Sequence, residues 1–170
     1  MGKVNLILLM VIFLTTACKN EEADMDTVKQ VDINKFMGDW YVQGIIPNFI
    51  EKGAANGVES YQLKKDNVVQ IQYTFQKNGK TKTMDAKAFI QDDTNAFWKV
   101  QFIWPLKLPY LVIDLAEDYS YTVIGIPNKK YVWIMSRQPN MPDSTYTTIL
   151  DRLDKIGYDT AQINRMEQNW

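Results

Sequence analysis

Histidine is absent from this 170-residue chain, and cysteine occurs once, at Cys18. A Ser/His/Asp triad, a Cys/His pair and a zinc site built on histidine all need residues that the chain does not contain. A single cysteine also excludes a disulfide within the chain. Catalysis would therefore depend on carboxylates, lysines or tyrosines alone. We predict no metal, no cofactor and no enzymatic activity.

The chain also has almost no net charge. Nineteen lysines and arginines oppose twenty acidic residues, for a formal net charge of -1. The lysines are spread along the chain and form no basic stripe, so nucleic acid is excluded as a partner. Apolar residues make up 46% of the composition and aromatic residues 12%. One domain with a substantial core is expected from this length and composition.

The apolar run near the N-terminus is too short for a permanent membrane span. Leu6–Leu14 contains nine residues. As a helix it would rise roughly 14 Å, whereas crossing the hydrocarbon layer takes about 20 residues. Lys3 precedes the run, and the small residues of positions 15–17 follow it. This is the layout of a secretory signal peptide, which we predict over residues 1–17.

The end of this segment resembles the lipobox of bacterial lipoproteins, in which the cysteine is acylated and becomes the mature N-terminus. Cys18 directly follows Ala17, and Leu14 lies four residues before it, where the usual pattern has a leucine three before. The alternative is an ordinary secretory signal with an incidental cysteine. The next residues are polar and lack periodicity, so we predict a lipidated flexible tether over residues 18–31. Several acyl chains such as palmitate would hold the protein on a membrane.

Short apolar alternations rich in β-branched and aromatic residues follow, with turn signals every ten to fifteen residues or so. They predict an all-β meander whose strands close into an eight-stranded antiparallel up-and-down β-barrel, which removes both sheet edges. The barrel domain is placed at residues 32–170. Its strands are predicted at 38–46, 57–64, 68–76, 82–91, 97–104, 110–116, 119–126 and 130–137.

One C-terminal α-helix is predicted over residues 143–156. Its apolar residues Tyr146, Ile149, Leu150, Leu153 and Ile156 recur at helical spacing. Asp143 is the predicted N-cap and Gly157 the predicted stop. Because no second helix is available as a partner, the apolar face should lie against the outside of the barrel.

Three segments resemble the signature regions of the lipocalin family, and they occur in the family's order. Gly38 and Trp40 match the G-x-W motif of the first strand, Asp118-Tyr119 the turn between the sixth and seventh strands, and Arg137 the arginine that ends the eighth. The resemblance implies that Arg137 lies over the Trp40 indole and closes the base of the barrel. Phe36–Tyr41 and Tyr131–Arg137 are similar in particular to the bacterial outer-membrane lipocalins, which carry a lipid anchor.

An eight-stranded barrel has room for packed side chains or for one small ligand. Alternation in register with Trp40 predicts an interior that is apolar and aromatic, in which Gly44 and Gly125 leave space. The alternative is that the aromatic side chains fill the interior. Glu59 is the one carboxylate expected inside, as a hydrogen-bond partner of tyrosines rather than a catalytic acid. The predicted ligand-binding residues are Val42, Gly44, Glu59, Tyr61, Tyr73, Phe75, Ala88, Trp98, Val100, Phe102, Tyr110, Val112, Tyr121, Val123, Tyr131 and Trp133.

Alternate hairpins of a meander lie at the same end, and one end collects lysines. Seven lysines there face only Glu51, whereas acidic residues dominate the other end. Family resemblance makes the lysine-rich end the open mouth, where apolar residues ringed by lysines suit an anionic amphiphile. Solubility alone is the alternative explanation for the lysines. The predicted mouth residues are Phe49, Lys77, Lys80, Trp104, Lys107 and Lys129.

The loop 104–109 is apolar where hairpin tips are normally polar. Insertion into a bilayer, a lid and a homodimer interface remain three alternatives for it. The resemblance implies binding, storage or transport of a fatty acid, a lysophospholipid or a similar amphiphile. It places the protein in the outer membrane of a Gram-negative bacterium, with the periplasmic face favoured over the cell surface. An envelope protein-interaction module that uses the apolar mouth is the alternative, and an enzyme acting through Glu59 is disfavoured.

Overall fold

The computed structural model describes residues 25–170, except for the side chain of Asp66. The predicted signal peptide over 1–17, the acylated Cys18 and the first part of the tether lie outside these residues. Eight antiparallel strands are followed by one long helix. The strands are β1 (Gly38–Ile45), β2 (Ala55–Leu63), β3 (Val68–Lys77), β4 (Lys80–Ile90), β5 (Phe97–Ile103), β6 (Leu106–Leu115), β7 (Tyr121–Gly125) and β8 (Val132–Ser136).

Each strand pairs with its neighbour in the chain, and β1 closes the sheet by pairing with β2 and with β8. The eight-stranded barrel predicted from the sequence is therefore confirmed. Short elements flank it, namely the single-turn helix α1 (Ile33–Phe36), the 3₁₀ turns Lys65–Asn67 and Thr160–Gln162, and β9 (Asn164–Arg165). β9 pairs with Gly44 and Ile45 of β1, beyond the residues of β1 that pair with β2.

The helix α2 (Asp143–Lys155) packs on the outside of the barrel, as predicted. Tyr146, Ile149 and Leu153 bury their side chains against a second apolar cluster formed with Val123 and Ile134. No helix within residues 25–170 is long and apolar enough to cross a membrane.

Both ends of α2 have a clear local cause. Asp143 is the first residue of the helix and not its N-cap, because Pro142 occupies the N-cap position without a side-chain hydrogen bond. The Asp143 carboxylate instead accepts from Arg165 at 2.6 Å. At the other end Gly157 has a φ of +89°, and the amides of Gly157 and Tyr158 donate to Asp154 and Leu153. This is the Schellman arrangement that stops a helix at a glycine, as the sequence predicted.

The second half of the predicted tether lies on the barrel. The amide of Val28 donates to the carbonyl of Val112 at 2.9 Å, and that of Val31 donates to Thr94 at 2.8 Å. Val31 is completely buried in the barrel core. Residues 28–31 therefore belong to the packed structure and not to a tether, because the two valines supply apolar contacts that the polar residues around them do not suggest.

A bulge in β1 moves Gly44 to the outside of the barrel, against the prediction. The pairing of β1 with β8 shifts register between Val42 and Gly44, so that both Gln43 and Gly44 face outward and Ile45 faces the interior. Alternation is reset by the extra residue. A side chain at Gly44 would collide with the Tyr146 hydroxyl of α2. The glycine makes room for the helix and leaves none for a ligand.

The predicted orientation of β7 is wrong by one residue. Tyr121 accepts a hydrogen bond from Arg152 of α2 at 2.8 Å, and Val123 packs in the cluster beneath that helix. Gly125 also faces outward, toward Tyr158, whereas Ile124 belongs to the interior core. Because α2 covers the outer face, β7 is buried on both faces, and alternation carries little information about which face is inside.

Candidate functional site

One end of the barrel is sealed by the chain's own side chains. The guanidinium carbon of Arg137 lies 3.7 Å from the centre of the Trp40 ring, which confirms the predicted cation–π contact. Its N–H groups also donate to the carbonyls of Lys35, Met37 and Asp39 at 2.6–2.9 Å. We call this the closed end.

The other three signature residues, Gly38, Asp118 and Tyr119, lie at the same end. Gly38 has a φ of +93°, which a glycine adopts without strain. Asp118 accepts from the amide of Ser120 at 2.9 Å, and the Tyr119 hydroxyl accepts from the amide of Asp32 at 2.8 Å. Tyr119 thereby joins the turn between β6 and β7 to the start of α1.

Aromatic side chains fill the interior above the closed end. Phe36 lies 5.2–5.4 Å from the rings of Trp40, Tyr61 and Trp98, measured between centroids. Both tryptophans are completely buried. Their indole N–H groups donate to the carbonyls of Phe36 and Asn95, each at 2.8 Å. In this half of the barrel, aromatic side chains fill the interior. This is the alternative to a ligand cavity that the sequence left open.

A buried carboxylate and two tyrosines form a hydrogen-bonded group in the middle of the barrel. Tyr61 donates to Glu59 and shares a hydrogen bond with Tyr110, and Tyr110 donates to Glu59 at 3.1 Å. Burial raises the pKa of Glu59 to about 7, helped by the charge of Glu51 and opposed by the tyrosine hydrogen bonds. Glu59 thus has the tyrosine partners predicted for it.

Glu51 is a second interior carboxylate, contrary to its predicted place on the rim. Its side chain is 5% exposed and accepts from the Trp133 indole at 2.8 Å and from the Asn48 amide at 3.3 Å. Asn48 in turn accepts from the amides of Ile50 and Glu51, which folds the loop 47–54 inward. Burial raises the pKa of Glu51 as well. The spacing of Asn48 and Glu51, three residues apart as in a capping box, is the sequence signal for this turn.

Tyr73 contributes a buried hydroxyl that has no hydrogen-bond partner within residues 25–170. Its side chain is 5% exposed, and its ring stacks on Phe75 at 4.8 Å between centroids. A Cβ atom at Gly57 would lie 3.0 Å from the hydroxyl. The pKa of Tyr73 is raised by burial and by the charges of Glu51 and Glu59. The two carboxylates therefore lie within electrostatic range of this hydroxyl.

The C-terminal segment enters the barrel wall at this level, which the sequence did not indicate. The Met166 amide donates to the Gln43 carbonyl at 2.9 Å, and the Gln168 amide group donates to the carbonyls of Val42 and Gly57. The Met166 side chain is buried in the interior core, next to the space that Gly57 leaves. It therefore occupies interior space where β1 and β2 separate.

A cleft of about 330 Å³ opens between the loop 47–54 and this C-terminal segment. Glu51, Ile45 and Met166 form its inner wall, and all three are buried. They belong to the half of the barrel interior opposite the closed end, which we call the upper interior. The outer wall is made of residues at the surface. The complete lining is Ile45, Pro47, Glu51, Gly53, Ala54, Ala55, Asn164, Arg165, Met166 and Glu167.

The predicted mouth residues do not converge on one point. Phe49 and Trp104 are 86% and 82% exposed. Lys77 donates to the carbonyls of Ile50 and Phe49 at 2.8 and 3.4 Å, and so holds the loop 47–54. Lys107 lies over the Phe89 ring at 3.7 Å, on the outer face of the barrel. Lys80 is exposed on the β3–β4 hairpin.

Lys129 is also displaced from the mouth. Its ammonium lies 3.2 Å from the position that a Cβ atom of Gly157 would take, at the C-terminal end of α2. The four predicted lysines therefore lie in four different surroundings and do not form a ring.

The structure separates the predicted ligand-binding residues into three groups. Gly44, Tyr121 and Val123 face outward, as described above. Phe102 is about half exposed near the mouth, and Tyr131 lies beside Trp133 at 6.2 Å between ring centroids. The interior holds Val42, Glu59, Tyr61, Tyr73, Phe75, Ala88, Trp98, Val100, Tyr110, Val112 and Trp133. Their part in ligand binding stays a prediction.

Comparison with known proteins agrees with this geometry. Residues 31–168 match the family described as a lipocalin-like domain. The chain is 28% identical over 159 residues to temperature-induced lipocalin-1 of Arabidopsis thaliana, covering 88% of this chain and 86% of the relative. It is 26% identical over 160 residues to the outer membrane lipoprotein Blc of Vibrio cholerae, covering 91% and 93%.

Solved structures share the fold. Insecticyanin from the tobacco hornworm Manduca sexta superposes with a TM-score of 0.67 at 20% identity, covering 86% of this chain and 85% of that one. At this identity the likeness concerns the architecture of the barrel.

Proposed function

The chain belongs to the lipocalin family, whose members bind small hydrophobic ligands, and from this premise we propose that it carries an amphiphilic lipid in the upper half of its barrel. The ligand classes are fatty acids, lysophospholipids and similar amphiphiles. Family members are typically binding or transport proteins rather than enzymes, and no catalytic role is proposed for Glu59.

One observation carries the proposal, namely that the two ends of the barrel are covered differently. The closed end is sealed by buried tryptophan and arginine contacts. The opposite end is covered by the loop 47–54, which Lys77 and the Asn48 turn hold in place through hydrogen bonds. Beneath this loop lie the aromatic and aliphatic side chains of Tyr73, Phe75, Val100 and Trp133. Displacing one loop would give an alkyl chain access to that lining.

The test is a direct search for a lipid. We expect native mass spectrometry of the gently purified protein to show one retained lipid mass, and calorimetry of the delipidated protein to show one site for dodecanol or dodecanoate. Absence of both a retained mass and binding of either probe would overturn the proposal.

The position of an anionic head group is tested separately. Removing the charges of Lys77, Lys80, Lys107 and Lys129 together should weaken dodecanoate binding more than dodecanol binding, because only the former carries a charge at the rim. Equal losses of affinity for both probes would show that these lysines are not part of the proposed site.

The location we propose is the outer membrane of a Gram-negative bacterium, with an acyl anchor at Cys18 and the periplasmic face as the site. The name of the relative from Vibrio cholerae, an outer membrane lipoprotein, supports it. Cys18→Ala should abolish labelling by radioactive palmitate and move the protein out of the membrane fraction. Cys18→Ala protein that stays labelled or membrane-bound would exclude this anchor.

An interaction module is the second candidate, and the tip of the β5–β6 hairpin favours it. Ile103, Trp104, Leu106 and Leu108 are all large, apolar and exposed. Such a patch on a soluble surface is a candidate contact for a second copy, another envelope protein or a bilayer. Replacing Trp104 and Leu106 by serine should convert a dimer to a monomer in sedimentation equilibrium, or abolish flotation with vesicles. Unchanged behaviour in both assays would discard this candidate.

A further inference from the structure

Two carboxylates, Glu51 and Glu59, are buried in the upper interior without a cationic partner among residues 25–170. Glu51 comes from the loop 47–54 and Glu59 from β2, and their side chains are 5% and 6% exposed. Within residues 25–170, the groups that donate hydrogen bonds to them are the Trp133 indole, the Asn48 amide and the hydroxyls of Tyr61 and Tyr110. All of these donors are neutral. Buried carboxylates are ordinarily paired with a cation, so the arrangement is costly in the absence of a ligand.

The Tyr73 hydroxyl is an independent polar group at the same place. It is buried and unpartnered in the described part of the chain. Leaving a buried hydroxyl without a partner destabilises a protein, so such groups need an explanation. Tyr73 pairs directly with Glu59 across β2 and β3, so the two buried side chains are neighbours on the inner face of the sheet.

Space for a ligand adjoins these groups. The cleft of about 330 Å³ has Glu51 in its inner wall, together with Met166. Met166 and Tyr73 both approach Gly57, so the methionine lies between the cleft and the Tyr73 hydroxyl. Methionine is flexible and adapts readily to a ligand. Its movement would join the cleft to the interior acids.

We propose that Glu51, Glu59 and Tyr73 bind the protonated primary amine of an amphiphilic ligand. An alkylammonium group carries three N–H donors, and the two carboxylates and the hydroxyl provide three acceptors. The aromatic rings of Tyr73, Tyr110 and Trp133 around them favour a cation further. This inference rests on the proposed lipid-binding function and, among the amphiphiles proposed there, favours those with a primary amine over fatty-acid anions.

The interior therefore prefers a cation to an anion. An anion is repelled by Glu51 and Glu59, whereas an ammonium group is attracted to them. Removing an interior carboxylate should consequently weaken binding of a cation and leave unchanged, or strengthen, binding of an anion. A variant that merely damages the fold would weaken both.

The experiment uses three probes with the same alkyl chain, titrated into the delipidated protein by calorimetry at pH 8. We expect dodecylamine to bind about tenfold or more tightly than dodecanol, as charge-assisted hydrogen bonds imply, and dodecanoate to bind least tightly. If dodecanol and dodecanoate bind as well as the amine, this inference fails while the proposed lipid binding stands. If none of the three binds, the proposed function itself fails.

Variants then locate the cation. Glu59→Gln and Glu51→Gln keep the size of the side chain, and each should reduce amine affinity about tenfold without reducing dodecanoate affinity. Tyr73→Phe should also weaken the amine. The exposed Glu117→Gln is the matched control and should change neither. Equal losses for amine and anion in the interior variants, or no loss for the amine, would overturn the assignment.

The pH dependence of amine binding is a measurement that a purely structural role of Glu59 would not change. The groups that face Glu59 are Glu51 from the loop, Tyr61 from β2, Tyr73 from β3 and Tyr110 from β6, and none of them is cationic. Because the pKa of Glu59 is raised to about 7, amine binding should tighten between pH 6 and 8 and release a proton. Buffers of different ionisation enthalpy measure that proton. Its absence in the wild-type protein would contradict the proposal.

Discussion

The two ends of this barrel are built on different principles. At the closed end, Phe36, Trp40 and Trp98 are fully buried in contact with one another, and Arg137 holds the base with three backbone carbonyls. At the opposite end, beneath a hydrogen-bonded loop, the interior contains carboxylates and a hydroxyl that has no partner among residues 25–170. The packed aromatic side chains of the first end stabilise the fold. The second end keeps buried polar groups that other residues of the described chain do not fully pair, as binding sites commonly do.

The largest effect should come from the closed end. Trp40→Ala removes a buried indole and leaves a cavity, so we expect the free energy of unfolding to fall by about 3–5 kcal/mol. The matched control is Trp104→Ala at the exposed hairpin tip, where the change should stay within about 0.5 kcal/mol. Urea denaturation of both variants measures the difference. Similar losses would contradict the contrast between the two ends.

The next effect concerns the pH dependence of stability. A carboxylate whose folded-state pKa is raised contributes stability at low pH and loses it as the pH rises through the folded-state value. For Glu59 this window runs from its ordinary pKa of 4.5 to about 7, and the loss amounts to about 3 kcal/mol at most. Glu51 acts in the same direction.

We therefore expect the wild-type protein to be less stable at pH 8 than at pH 5, and Glu59→Gln to show a markedly flatter dependence. Glu117→Gln, at an exposed carboxylate, should behave as the wild type does. Chemical denaturation at several pH values provides the measurement. A Glu59→Gln protein with the full wild-type dependence would show that Glu59 does not titrate as stated.

A smaller effect of opposite sign is expected at Tyr73. Tyr73→Phe removes a hydroxyl that has no partner in the described residues, so the ligand-free protein should gain about 1–2 kcal/mol. The control Tyr110→Phe removes a hydroxyl that donates to Glu59, and it should lose stability. Thermal unfolding of the two delipidated variants tests the pair. Loss of stability in both would indicate that the Tyr73 hydroxyl has a partner.

The smallest change in stability should accompany Lys77→Met. This substitution removes the hydrogen bonds to the carbonyls of Phe49 and Ile50, and we expect the free energy of unfolding to fall by less than about 1 kcal/mol, because Lys77 is only half-buried. Association and dissociation rates of dodecanol should both rise, because the loop 47–54 opens more often. Lys80→Met, on the same hairpin, is the control. Equal stopped-flow rates in the two variants would show that Lys77 does not control the opening of the loop 47–54.

Periodicity predicted the strands better than it predicted the interior. All eight strands are present because alternation and turn residues are local properties. The orientation of Gly44 was wrong because a bulge resets alternation. That of Tyr121 and Val123 was wrong because α2 covers the outer face of β7.

The residues of the candidate site also divide into those that alternation placed correctly and those that it did not. Glu59, Tyr61 and Tyr110 were predicted inside because they lie on regular strands. Glu51 and Met166 were not, since they lie in a loop and a terminal segment where no period assigns a face. Their positions depend on which distant elements they meet, namely Trp133 for Glu51 and Gln43 for Met166.

The amino-acid sequence by itself determined the closed sheet, the single outer helix and the absence of histidine chemistry, since each follows from residue types and local spacing, and its resemblance to the lipocalin family implied the contact of Arg137 with Trp40. Only the tertiary structure decided that a second carboxylate and a methionine enter the barrel and that one tyrosine hydroxyl has no partner in the part of the chain that the structure describes. The reason is that the burial of a side chain from a loop depends on contacts across the whole barrel and not on its neighbours in the chain.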